Sequence, residues 1–238
     1  MERKKRIDAI DAARGLALVL MVIHHFLIDL VNLCGAPMWI FSNPVFDVLH
    51  YIFAGLFIFL AGLCCRFSHS NLRRGVICFA IAMVITVVSS LPIINDPIRF
   101  GVLHLLGFSM IFFALTHRAW DAIPRKVAPV IYVLMTVASA YLVAHTSIGN
   151  AARWLFPFGW TYKGFYTADW FPIFPWLFVF LIGTWAGLYV TERKLPERFY
   201  TFTCPVLPQI GRRSLLIYVL HQPILYGAIY AVKLIFKI

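Results

Sequence analysis

Seven long apolar stretches, separated by short polar junctions, dominate the chain. They cover about 9–32, 45–66, 73–92, 99–117, 125–145, 170–190 and 212–235. A helix rises about 1.5 Å per residue, so roughly 20 apolar residues cross the hydrocarbon core of a bilayer. The junctions "CGAPMWIFSNP", "RFSHSNLRR", "LPIINDP", "HRAWDAIPRK" and "TERKLPERF" carry the breakers and charges that end such helices. The expected fold is all-α: a polytopic membrane helix bundle of about seven transmembrane helices, forming one integral-membrane domain over 1–238. The segment 146–169 is aromatic, glycine-rich and too polar to span, so it reads as an interfacial belt or as a lid over a cavity.

Composition supports this reading. Of 238 residues, 61% are hydrophobic and 13% charged, too little polar surface for a soluble domain of this length. The net charge is +11, but the basic residues sit in short runs between apolar segments. That distribution reads as membrane topology and not as a nucleic-acid surface. With the N-terminus in the cytoplasm, 16 of the 21 Lys and Arg residues fall on the cytoplasmic side, Arg3, Lys4 and Lys5 among them. The other side holds 5: Arg99, Arg153, Lys163, Lys233 and Lys237. The C-terminus is then expected outside, and Lys233 and Lys237, which fit less well, can snorkel. The basic N-terminus precedes an apolar run too long for a signal-peptide core, so a retained first helix is expected. The five cysteines make no metal-type or redox-type spacing, and no metal is expected.

Candidate chemistry lies in ionisable groups at membrane depth, which usually face a bundle interior and mark a pathway or site. In the first helix, Asp11, Arg14, Leu18, Met21, His25 and Asp29 follow steps of three or four and share one stripe. Arg14 and His25 lie about 16 Å apart along the axis. Asp29, one turn beyond His25, could orient it and raise its basicity. His24 points about 100° away and reads as a core histidine. Arg14 equally reads as a topology anchor or a partner of Asp11. Other helices place Asp47, His50, Arg99, His104, Asp169 and His221 in or near the outer half, with Arg212 and Arg213 at the inner edge. Helix rotation, and hence convergence, stays open at this stage. Pro223 and "FPIFP" free backbone carbonyls, as tolerated where backbone is buried or lines a cavity. No Walker, Rossmann, zincin or serine-hydrolase signature occurs.

Four elements, "RIDAIDAARGLALVLMVIHHFLIDL", "RFGVLHLLGFSMI", "DWFPIFPWLFVFLIG" and "IGRRSLLIYVLHQPIL", together resemble the bacterial members of the heparan-alpha-glucosaminide N-acetyltransferase catalytic-domain family. The resemblance runs in order over nearly the whole chain. It implies a transmembrane acyltransferase that moves an acyl group, acetyl in the first instance, from cytoplasmic acyl-CoA to an extracytoplasmic sugar hydroxyl or amine. The related acyltransferase-3 proteins have an Arg-Gly pair in the first helix and a histidine eleven residues beyond the arginine. Here those positions are Arg14, Gly15 and His25. The lysosomal enzymes use a histidine in the first lumenal loop, whereas "NLCGAPMWIFSNP" has none. The implied chemistry then falls to His25, or to His50 or His104.

The expected site therefore has His25 as general base and Asp29 as its orienter. Arg14, Arg212 and Arg213 hold the donor's phosphates, and His50, His104, Asp169 and His221 contribute to binding. The expected setting is a multi-pass protein of the cell membrane. Its partners are acetyl-CoA or another acyl-CoA as donor, a glycan or glycolipid acceptor, membrane lipid and, as an admissible assembly, a homodimer. Two rival readings remain. One is a proton-coupled small-molecule transporter that uses His and Asp as a relay; the other is a non-catalytic membrane subunit.

Overall fold

The computed structural model of the protein describes residues 6–40, 43–92, 94, 96–147 and 150–236. Arg3, Lys4, Lys5 and Lys237 lie outside the described residues, as do Phe41, Ser42, Ile93, Asn95, Ile148 and Gly149 of the junctions. Seven helices are long and apolar enough to cross a membrane. They are α1 (Asp8–Cys34), α2 (Pro44–Cys64), α3 (Asn71–Ser89), α4 (Val102–Asp121), α5 (Ala128–His145), α6 (Ile173–Thr191) and α9 (Ser214–Phe236). Each falls on one expected span, with ends shifted by a few residues. Two short helices, α7 (Glu197–Thr201) and α8 (Leu207–Arg212), precede α9. The polar segment after α5 holds a 3-10 helix, Asn150–Phe158, in place of a span.

The chain forms two compact units, 1–57 with 195–238, and 58–194. In the first, α1 crosses α8 at two glycines. A Cβ on Gly15 would collide with the Leu207 carbonyl, and one on Gly211 with the Asp11 carbonyl. Small residues at a crossing let backbones approach closely, which is how helices gain packing where lipid offers no hydrophobic drive. Gly35 ends α1 at φ 68°, a left-handed conformation that costs glycine little. The Lys233 ammonium donates to the Leu33 carbonyl at 2.8 Å, so one of the last α1 carbonyls is met by α9.

In the second unit, α3 packs on α4 and α5 on α6. Gly62 and Gly183 repeat the close crossing, each against a backbone carbonyl, of Phe180 and Phe59 respectively. Arg66 ties the end of α2 to α4 and α6. Its Nη1 and Nη2 donate to Asp121 at 2.9 and 2.5 Å, its Nε donates to the Thr184 carbonyl at 2.9 Å, and its guanidinium lies 4.9 Å from the Phe113 ring centre. Beyond the spans, Arg125 donates to Glu192 at 2.8 Å and Lys194 lies 2.7 Å from the same carboxylate. The Arg125 hydrogen bond, reinforced by Lys194, holds the Glu192 carboxyl down at about 2. Outward faces are apolar: Leu134 is 63% and Leu234 82% exposed, as suits side chains that meet lipid tails.

Candidate active site

Within the first unit, α1, α2 and α9 bring four imidazoles into a row. His50 stacks on His24 with ring centres 4.5 Å apart. His24 meets His25 at 5.8 Å, and His25 meets His221 edge-on at 4.9 Å. Of the expected site residues, the structure thus gathers His25, His50 and His221. It adds His24, which helical periodicity turns off the shared stripe but which faces α2 instead.

The hydrogen-bond partners fix how the rings present their nitrogens. His25 Nδ1 lies 2.9 Å from the Met21 carbonyl, and His221 Nδ1 lies 2.6 Å from that of Tyr218. A carbonyl only accepts, so each Nδ1 carries the proton, and each neutral ring keeps its lone pair on Nε2. Among the described residues no hydrogen bond reaches His25 Nε2, and His221 Nε2 is buried without a partner. Imidazoles in this tautomer can take a proton at Nε2.

Asp29 is 1% exposed at the end of the same α1 stripe. Gln222 Nε2 donates to both of its oxygens, at 3.0 and 3.1 Å. The contact that orients His25 is the Met21 carbonyl. The Asp29 carboxylate lies one turn further along the same helix, held by Gln222 of α9. Gln222 was not singled out from the sequence, although it sits beside His221 in "LHQP". The usable signal was a buried carboxylate in need of a donor.

The basic end of this unit is mostly neutralised. Arg14 donates to Asp11 at 3.2 Å, while Arg212 donates to Asp8 at 2.6 Å and to Asp11 at 3.2 Å. The Asp11 hydrogen bond, with Asp8 close by, raises the Arg212 pKa above its ordinary value. Arg213 makes no ion pair among the described residues. It lines an apolar groove of about 530 Å³ with Val22, Ile210, Leu216, Leu220 and His221. The groove thus joins an uncompensated guanidinium to one end of the histidine row.

His104 and Asp169 belong to the second unit, where both hold the start of α4. His104 is 2% exposed. Its Nδ1 accepts from the Gly101 N–H at 3.2 Å, so its Nε2 carries the proton and faces the Thr86 hydroxyl oxygen at 3.0 Å. That hydroxyl in turn donates to the Ile98 carbonyl at 2.6 Å. Asp169 accepts from the Val102 N–H at 3.1 Å, the place where a helix N-terminus favours an anion.

The family model described as heparan-alpha-glucosaminide N-acetyltransferase, catalytic, matches residues 6–223. The chain belongs to this family. No curated protein and no solved structure gives a significant match. Family members take the acetyl group from acetyl-CoA. Membership, with seven membrane-capable helices, makes the chain a multi-pass membrane protein of an acetyltransferase family. The matched span reaches from before Arg14 to just beyond His221 and Gln222, so it encloses every residue of the row and of the basic end.

Proposed function

We propose that the protein is a membrane-embedded acetyltransferase that moves an acetyl group from cytoplasmic acetyl-CoA to a hydroxyl or amine of an extracytoplasmic glycan or glycolipid. The N-terminus is cytoplasmic in this reading. The donor's phosphates meet the basic end formed by Arg14, Arg212 and Arg213. Arg213 has most to offer, because carboxylates already neutralise the other two. The acceptor oxygen or nitrogen attacks the thioester carbonyl while His25 Nε2 takes its proton. The carbon–sulfur bond then breaks, and the imidazolium returns the proton to the departing CoA thiolate. His221 lies against His25, and Asp29, held by Gln222, favours the transient positive charge.

The observation that carries the reading is the His25 ring itself, with Nδ1 committed to Met21, Nε2 left with a lone pair, and His221 against its edge. The test is thiol release from acetyl-CoA by purified protein, together with mass spectrometry of envelope glycans and lipids with and without the gene. Full transfer activity in a folded His25→Ala variant would sink the assignment. The unbroken row His50–His24–His25–His221 also suits a proton relay in a transporter. Ion-coupled flux without acetyl-CoA binding would decide for that alternative.

A further inference from the structure

Topological alternation leaves five cations on the cation-poor side, and four of them, all but Lys237, are among the described residues. Lys233 meets the Leu33 carbonyl. Arg99, Arg153 and Lys163 fall in the two junctions 90–101 and 146–172 of the second unit. These junctions are laced together. Ala168 N–H donates to the Pro97 carbonyl at 3.1 Å, Phe171 N–H to that of Phe100 at 2.9 Å, and Arg99 N–H to the Thr167 hydroxyl at 3.0 Å.

Two guanidiniums converge on one tyrosine there. Arg99 Nη1 donates to the Tyr162 hydroxyl at 3.0 Å, and Arg153 lies 5.2 Å from the centre of the Tyr162 ring. Arg99 also lies 6.0 Å from the Phe165 ring centre. No carboxylate among the described residues pairs with either arginine. The acids of these junctions are already engaged: Asp96 accepts from the Tyr166 hydroxyl at 2.7 Å, and Asp169 from the Val102 N–H.

We propose that Arg99 and Arg153, gathered around Tyr162, bind the phosphate of an anionic lipid headgroup. The junctions connect the ends of membrane-spanning helices, so the pair sits at headgroup depth. Both guanidiniums are exposed and pair with no carboxylate among the described residues, so an anion can reach them without breaking an existing ion pair. A guanidinium takes phosphate through two parallel N–H donors, and Arg99 is held in place by its backbone and ring contacts before any ligand arrives. Trp154 and Tyr166, 67% and 59% exposed, supply the amphipathic rings usual at that depth. The proposal does not depend on the acetyl-transfer reading.

The test is native mass spectrometry of the full chain, released from micelles containing defined phosphatidylglycerol or phosphatidylcholine. Wild type should retain phosphatidylglycerol preferentially. The Arg99→Gln/Arg153→Gln variant should lose that retention by roughly fivefold per arginine, with phosphatidylcholine unchanged. Arg153→Gln alone removes only a ring-face contact and should show the single-arginine loss even if the double variant does not fold. Unchanged phosphatidylglycerol retention in either folded variant overturns the proposal. So does displacement of phosphatidylglycerol by inorganic phosphate, which would make this a free-anion site.

Discussion

Replacing Gln222 with methionine keeps the side-chain length and removes the donor from Asp29. The carboxylate it leaves is 1% exposed, and both of its oxygens accept from the same Gln222 nitrogen, at 3.0 and 3.1 Å. A hydrogen bond to a charged group is worth about 1.5–3 kcal/mol, and one nitrogen supplies both contacts, so the value counts once. Interhelical hydrogen bonds inside membranes average only about 0.6 kcal/mol in double-mutant cycles, because the unfolded chain in lipid also finds partners. A buried carboxylate is harder to satisfy elsewhere than a neutral group, which places this pair toward the upper end. We expect a coupling of about 1.5–2 kcal/mol between Gln222→Met and Asp29→Asn. The assay is unfolding of the purified protein in mixed micelles by titration with dodecyl sulfate, for wild type, both single variants and the double. A coupling below about 0.5 kcal/mol is within the error of simple additivity and would refute the claim that α9 holds Asp29 through Gln222.

His25→Ala should lower CoA thiol release by about 10²–10⁴-fold, the usual contribution of a general base, while the protein stays folded by size-exclusion chromatography. Gly211→Ala puts a methyl group against the Asp11 carbonyl, a backbone atom that cannot step aside, and should cost about 1–3 kcal/mol of stability in thermal unfolding. Gly227→Ala, which meets open space, should cost nothing. Glu192 has a carboxyl pKa of about 2 in the folded protein against an ordinary 4.5, so its ion pairs stabilise fully above pH 4.5 and fade as pH falls toward 2. Glu192→Gln should therefore lower the melting temperature at neutral pH, where the ion pairs contribute fully, and flatten its pH dependence between pH 4.5 and 2.

The spans were legible because an apolar run of about 20 residues has few alternatives once polar junctions bound it. The stripe on α1 was legible for the same reason that it exists: eleven steps of a helix return to nearly the same face. Partners across helices were not legible, because rotation about each axis leaves no trace in an apolar sequence. His24 shows the difference. Periodicity turns it away from His25, and only the placement of α2 gives it His50. His104 shows the converse, since depth in a span made it a site candidate while its contacts fasten the start of α4. The six-residue α8 was hidden in a junction, being too short for a periodic signal, yet its Gly211 sets the approach to α1.

A polar group in lipid costs about 2.5–3.5 kcal/mol on insertion scales, so its partner states why it is retained. On α1, Arg14 has Asp11, and Asp29 has Gln222. Those contacts answer the structural need of both groups. What the first unit leaves over is narrower: the Nε2 lone pairs of His25 and His221 and the uncompensated charge of Arg213. An unmet lone pair in a row of imidazoles and a cation without a counter-ion at the end of an apolar groove add nothing to the packing of the bundle. A reaction that brings an anionic donor to one end and removes a proton at the other has use for both. Groups whose partners leave charge or a lone pair unspent therefore point to function more sharply than residues that are merely polar, and among the cations of the basic end they select Arg213 over Arg14 and Arg212.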